Sequence, residues 1–469
     1  MNLVGLDVAG WMKAEFADTE LGDRRRTKRL EKMAVGLAKN PRGAIHGSLP
    51  TWAESKAAYR LLNQPKVTHS SVLATHLTRT RARCQANAEV LLVEDTTSLN
   101  YNTHVATQGL GRIGDDRSQG LHLHTTLALA VNAWSKNHEP QVSALGLFAQ
   151  HCWARTMPTI GVGQEKKQAR FRRARESERW AAALDKQGGP PLGVRWTFVA
   201  DREADVYEAL QKCKALDTDF IIRANQARAL ETQAGSVFAA AAAAPVWGRY
   251  AINLRARQGQ KARCAQIEVR AVSVRLSGPY RPGGCLKPLA VNLVAAHEIE
   301  APADVAEPIS WVLLTSWPIT DFAAALRIIK AYAGRWLIEE FHKALKSGAD
   351  VERSQLKEVQ RLMPLIGILS VVAVWLLNLK LPAQTTPDLP LGPDALPPEA
   401  LEVLAQTNAR PPEGWTCLTV LVSIAKLGGF LGRKHDGAPG WQSIWRGWQR
   451  LALITEGIRL ARAWDAKCG

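Results

Sequence analysis

Cysteine is scarce in this chain: seven residues, at 84, 152, 213, 264, 285, 417 and 468, among 469. No two are spaced as CxxC, and their number is odd. Such usage excludes a disulfide framework and a zinc knuckle, and fits reduced thiols in a cytosolic protein. A membrane-length apolar run is also missing. The longest candidate, Leu362 to Leu377, falls short of the ~20 residues a bilayer needs, and Pro364 and Gly367 interrupt it. It reads as a buried core helix. The first residues, MNLVGLDVAGWMKAEF, lack the basic start and long apolar core of a secretory signal. Acidic residues are in deficit, with 43 Asp and Glu against 60 Lys and Arg, a net charge of +17. That excess suits a polyanion, either nucleic acid or an acidic membrane surface.

What is present is ample for folding. Apolar residues make up 46% and include 16 Trp, so wholesale disorder is excluded. The length exceeds what one core can fill, and two to four domains are expected. Residues 1–70 read as short helices. Leu30, Met33, Ala34, Leu37 and Ala38 share one apolar face, and Arg24, Arg25, Arg26, Lys28 and Arg29 crowd its first turns. Cations there oppose the helix dipole, so phosphate contact explains them better than helix stability.

From about 75 to 230 strands and helices alternate. Val90–Val93, Trp196–Ala200 and Phe220–Ile222 are continuous apolar runs ending in Glu94-Asp95, Asp201 and Arg223, as buried central strands would. Leu121–Val131 and Val142–Phe148 read as further strands. A basic helix-like stretch spans Lys166 to Arg179. Between about 225 and 318 the pattern turns to antiparallel strands, and an alternation that changes phase at 271–272 suggests a β-bulge or a bend. Ala239–Ala244 reads as a short helix or spacer. Residues 382–398 hold six prolines and form a linker. Trp415–Trp464 reads as helical, with Trp441, Trp445 and Trp448 on one packing face.

Chemistry concentrates in Tyr332-Ala-Gly-Arg335-Trp-Leu-Ile-Glu339-Glu340-Phe-His-Lys-Ala-Leu-Lys346. On one continuous helix starting at an Asp321 N-cap, Tyr332, Arg335, Glu339 and Lys346 fall within an arc of about 60°, and Glu340 points about 80° away. Cations to hold phosphates and a carboxylate to hold a metal suit a phosphodiester site. A solvated face of ion pairs gives the same stripe. Asp95 and Asp201, at strand ends, stand at the edge where α/β sheets place their sites. With Glu339 they supply oxygen ligands for two Mg²⁺ ions, spaced ~3.5–4 Å in phosphodiester displacement. Helix caps or loop acids remain equally open for both Asp.

Other motifs carry less. Gly109-Leu-Gly111-Arg-Ile-Gly114 begins too far after its strand for a dinucleotide site, and no acid lies between Asp116 and Glu139 to hold a ribose. His122 and His124 share a strand face but lack a third zinc ligand. No nucleophile elbow is present.

Val93-Glu-Asp95-Thr-Thr-Ser-Leu, Asp201-Arg-Glu-Ala-Asp205 and the Tyr332/Arg335/Glu339/Lys346 spacing together resemble the bacterial cut-and-paste insertion-sequence transposases. The match is to the hairpin-forming subgroup with a Tyr-Arg-Glu-Lys signature, which includes the transposase of a kanamycin-resistance composite transposon. The likeness extends to Leu21-Gly-Asp23, Trp311-Val-Leu-Leu-Thr-Ser316 and Leu427-Gly-Gly-Phe430.

The resemblance implies an α/β fold: an RNase H-like catalytic core at 71–380 with an inserted antiparallel β-subdomain at about 225–318. A helical DNA-end-binding domain at 1–70 would precede it, with a linker at 381–400 and a helical dimerisation domain at 401–469 after it. Asp95, Asp201 and Glu339 would be the catalytic acids, holding two Mg²⁺ ions, with Mn²⁺ able to substitute. Tyr332, Arg335, Lys346 and Arg223 would hold phosphates, Trp311 a flipped base, and Arg25, Arg26 and Arg29 the terminal inverted repeat. A homodimer would synapse two ends and join them to target DNA, in the nucleoid of a bacterial cytoplasm, without a membrane or a nucleotide cofactor. No Met lies between Met33 and Met157, so no internal start near residue 55 is evident. Two alternatives stay open: a catalytically silent DNA-binding repressor derived from such an enzyme, and an RNase H-like nuclease for branched DNA.

Overall fold

The computed structural model describes residues 8–40, 43–114, 118–155, 180, 184–185, 188–231, 235–254, 261–281, 284–392, 396–408, 411, 413–433 and 436–468. The basic stretch Lys166–Arg179 lies outside them.

The chain opens with helices α1 (Val8–Phe16), α2 (Arg24–Lys39), α3 (Ile45–Ser48), α4 (Trp52–Leu62) and α5 (His69–Gln85). Asp23 caps α2 by accepting the Arg25 N–H at 2.8 Å. Leu30, Met33, Ala34, Leu37 and Ala38 are buried, as their spacing predicts.

Strands β1 (Glu89–Asn100), β2 (Gly111–Ile113), β3 (Ser118–Trp134), β4 (Pro140–Trp153) and β5 (Arg195–Ala200) follow. Then come α6 (Tyr207–Ala215), β6 (Asp219–Arg223), α7 (Val237–Ala243), β7 (Val246–Leu254), β8 (Arg263–Leu276), β9 (Leu289–Ile299) and β10 (Ser310–Thr315). One ten-stranded sheet runs β2-β3-β1-β5-β6-β10-β9-β8-β7, with β4 beside β3. β5 and β6 are parallel to β1, whereas β3 and β4 form antiparallel hairpins on its other edge. The antiparallel strands expected after 225 continue this sheet through the β6–β10 pair.

The predicted bulge at 271–272 is absent, since β8 pairs with β9 without a register shift. Instead, Ala265, Ile267 and Val269 join one core, whereas Val274 and Leu276 join the core on the opposite face. The change of phase marks a change in which face is covered. The irregularity of this region lies in β7, between Val246 and Gly248.

Among the described residues six α-helices follow: α8 (Phe322–Ala333), α9 (Trp336–Lys343), α10 (Val359–Thr385), α11 (Pro398–Asn408), α12 (Cys417–Leu427) and α13 (Trp441–Cys468). Asp321 caps α8 as expected, accepting the Ala324 N–H at 2.7 Å. The single helix predicted for the Tyr332–Lys346 motif is not formed. Arg335, Leu337 and Ile338 donate backbone hydrogen bonds three residues back, a 3₁₀-type tightening that separates α8 from α9. A π-helical turn, Ala344–Gly348, follows α9.

α10 is long and apolar enough to cross a membrane, but 83% of its apolar window is buried inside the protein. It is the core helix that the sequence predicts, and the first core joins it to the N-terminal helices, one sheet face and α13. Each Leu, Ile or Val so buried contributes about 1.5–3 kcal/mol. The proline-rich segment starts inside α10, at Pro382, and then docks on the start of α12. There Leu391 donates to the Trp415 carbonyl at 2.8 Å and Cys417 to the Leu389 carbonyl at 3.0 Å. Trp441, Trp445 and Trp448 are buried in the core. α12 and α13 cross closely at Gly428 and Gly447, where a Cβ would fall 1.8 Å from the Ser443 carbonyl and 1.6 Å from that of Ile424.

Candidate active site

Asp95 sits within β1, not at its end. The parallel pairing with β5 stops at Glu94–Ala200, while antiparallel β3 carries β1 on to Asn100. Asp95 and Asp201 are therefore side by side, one residue beyond the last parallel pair. Asp95 accepts the Thr96 N–H at 2.8 Å. Asp201 caps a short 3₁₀ turn through the Glu203 N–H, also at 2.8 Å, so the cap reading of Asp201 holds and does not remove it from the site.

α9 brings Glu339 to the same edge. Arg335 donates to Glu339 at 2.7 Å and stands 3.8 Å from Asp95. Burial pushes the Asp95 carboxyl up to about 6; Arg335 opposes the shift, while Asp201 and Glu339 add to it. The three acids thus share one electrostatic neighbourhood.

Tyr332, at the end of α8, is raised by burial, with Arg335 and Arg223 opposing and Asp201 adding. Its ring meets Trp311 edge-on at 5.1 Å between centroids. Arg223, at the end of β6, donates to the Ser310 carbonyl at 3.0 Å. Lys346 lies on the π-helical turn. Tyr332 thus links Arg223, Trp311 and Arg335 to the acids, while Lys346 acts on His342 beside Asp95. Arg25, Arg26 and Arg29 lie on α2, and the hydrogen bonds of Arg25 and Arg26 stay within the N-terminal helical region. Arg25 is exposed and pairs with Asp23 at 2.9 Å, whereas Arg26 holds the Leu21 carbonyl and Gln64 at 3.0 and 2.9 Å.

One neighbour was not read from the sequence. His342 Nδ1 lies 3.9 Å from Asp95. Burial pushes its pKa down to about 3, helped by Lys346, His124 and Arg335, so the imidazole is neutral. Its position three residues after Glu339 is the signal that could have found it. His124 is engaged with Thr96 at 2.9 Å and Glu94 at 3.3 Å, and His122 stacks on Trp153 at 5.3 Å.

Among the described residues, no three His, Cys, Asp or Glu side chains converge closely enough to hold an ion in this arrangement. Within the acid cluster, Arg335 supplies the counter-charge. The donors nevertheless fit a hard divalent cation. They are oxygens, and the charges of Asp201 and Glu339 help hold Asp95 partly protonated, a repulsion that a cation relieves.

The sheet order β4-β3-β1-β5-β6, with one acid on central strand β1, a second just past the end of neighbouring β5 and a third on a later helix, is the RNase H-like arrangement. Family models agree: a transposase DNA-binding domain matches residues 8–67, a transposase DDE domain 186–375, and a transposase Tn5 dimerisation domain 402–468. The chain belongs to the Tn5-type DDE transposases. The DDE match contains Asp201 and Glu339, while Asp95 precedes it. Dependence on a divalent cation goes with that domain. Among solved structures, a piggyBac transposase synaptic complex with hairpin DNA is similar at 8% identity, covering 67% of this chain and 51% of that one, with a TM-score of 0.28. This chain thus spans about half the length of that protein.

Proposed function

We propose that this protein is a cut-and-paste DNA transposase working through a hairpin intermediate. The observation that carries the reading is the approach of three acids at one sheet edge: Arg335 bridges Asp95 and Glu339, and the charge of Asp201 acts on Asp95 beside it. The DNA-binding, DDE and dimerisation matches supply its context.

In this reading the acids hold two Mg²⁺ ions, or Mn²⁺ in their place. Held there, a divalent cation would supply Lewis-acid polarisation of the scissile phosphate and a lowered pKa for the attacking water or 3′-OH. The chain's own residues position the DNA. Arg335, Lys346 and Arg223 offer cationic donors to phosphate oxygens, and the buried phenol of Tyr332 stays protonated as a donor. Trp311, held edge-on by Tyr332, would stack on an unstacked base. One strand is hydrolysed at the element end. The freed 3′-OH attacks the opposite strand, and the hairpin is reopened before the end joins target DNA.

Residues 1–70, with Arg25, Arg26 and Arg29, bind the terminal inverted repeats. Residues 71–380 form the catalytic domain with its insertion at about 225–318, 381–400 the linker, and 401–469 the dimerisation domain. Two copies hold two ends in a synaptic complex in the bacterial nucleoid.

The test is Glu339→Gln in full-length protein on a duplex carrying the flanking repeats. Cleavage should vanish while end binding persists; retained nicking sinks the assignment. Arg335 neutralising the acids is the one feature that favours a second reading, a silent DNA-binding repressor. That reading requires end binding with no strand breakage in the unaltered protein at any Mg²⁺ or Mn²⁺ concentration.

A further inference from the structure

Glu340 follows Glu339 on α9 and turns the other way, into the protein. Its carboxylate is buried and takes donors from three directions. Lys380 Nζ on α10 lies at 2.7 Å, Lys343 Nζ one turn further along α9 at 3.0 Å, and the indole N–H of Trp441 at 3.2 Å. Lys380 Nζ also stands 4.7 Å from the centroid of the Trp441 ring, within reach of a cation–π contact. Burial would raise this carboxyl, but Lys380 and Lys343 outweigh it and hold it below the ordinary range.

Trp441 is the first residue of α13, the long helix of the dimerisation match. The far end of that helix exposes Leu453, Leu460 and Trp464. One buried carboxylate therefore ties the helix of the candidate catalytic acid to α10 and to the root of the dimerisation helix. Removing a partner from a buried ion pair leaves an uncompensated charge, which is strongly destabilising. Successive helical residues point about 100° apart, so the inward anchor of Glu340 sets where Glu339 points.

We propose that Glu340 is a positioning residue for the acid cluster: through Lys380 and the Trp441 indole it couples the rotation of α9, and hence the aim of Glu339, to the seating of α13. The inference rests on Glu339 being one of the metal-binding acids.

The test uses full-length protein, with Mn²⁺ binding followed by electron paramagnetic resonance beside thermal unfolding and end binding. Trp441→Phe keeps the ring and removes only the N–H; Glu340→Gln keeps the shape and removes the charge. Both should weaken Mn²⁺ binding about tenfold, in the range of outer-shell partners of metal ligands, with end binding unchanged. Glu339→Gln, the control, should weaken it more. A lowered Tm with unchanged Mn²⁺ affinity in both variants would make the junction merely structural and overturn the proposal. Should Glu340→Gln fail to fold, Trp441→Phe decides alone. If Glu339→Gln binds Mn²⁺ as the unaltered protein does, the acid-cluster reading itself falls and the coupling with it; if only that variant loses binding, the coupling alone is wrong.

Discussion

Arg335 bridges Asp95 and Glu339, with one guanidinium nitrogen 2.7 Å from the Glu339 carboxylate and another 3.8 Å from that of Asp95. The same fork that would hold a DNA phosphate thus neutralises the acids when neither phosphate nor metal is bound. Loading the site exchanges one counter-charge for another. Arg335→Ala should therefore tighten Mn²⁺ binding several-fold in the DNA-free protein while lowering strand cleavage. Isothermal titration and a nicking assay on the same preparation check both halves; weaker Mn²⁺ binding would contradict the bridging role.

Trp311 and Tyr332 meet edge to face. Trp311→Ala should slow hairpin formation more than the first nick, because only the second step needs an unstacked base. Quantifying nick and hairpin from one time course decides it, since equal loss at both steps refutes the role.

On α2, Arg25 has only a local partner, whereas Arg26 braces the N-terminal helices through Leu21 and Gln64. Arg25→Ala should leave Tm unchanged, weaken end binding and reduce the salt-dependence slope by about 1, the loss of one phosphate contact. Arg26→Ala should lower Tm as well. Binding isotherms at several salt concentrations, with melting curves, separate the two.

Glu15 of α1 is buried against Arg83, whose Nη1 lies at 2.7 Å, and His76. The His76 Nε2 accepts the Leu147 N–H at 3.0 Å, so its proton is on Nδ1 and is donated to Glu15. Burial alone would raise the Glu15 carboxyl, but His76 and Arg83 outweigh it and hold it at about 2, against an ordinary 4.5. A depressed carboxyl contributes stability that is complete above pH about 4.5 and lost as pH falls toward 2. The contribution is about 3 kcal/mol. Urea unfolding at pH 7 and pH 3 should show the fall in the unaltered protein, and a flatter, lower profile in Glu15→Gln.

The acids were legible in the sequence because buried parallel strands leave unbroken apolar runs: Asp201 follows one directly, and Asp95 stands past the end of another with only Glu94 between. That Asp95 lies inside β1 was not legible, since its extension depends on pairing with β3, and a neighbour's register leaves no local mark. The break between α8 and α9 escaped for a related reason. Tyr332-Ala-Gly-Arg335 carries no proline, and a lone glycine is tolerated within helical patterns. The Arg335–Glu339 contact survives the break because both residues lie on the α9 side of it. Glu340 points away from the stripe, as the helical spacing predicts; Lys380 and Trp441, which receive it, lie 40 and 101 residues further on, beyond any local pattern.

The central claim is metal-dependent strand breakage through a hairpin. Purified protein should be mixed with an end-labelled duplex bearing the flanking repeats, with and without Mg²⁺, and resolved on denaturing gels. The account predicts a nick followed by a hairpin, both dependent on Mg²⁺ and both absent in Asp201→Ala. A hairpin that persists in Asp201→Ala, or tight binding with no breakage in any divalent metal, would contradict it.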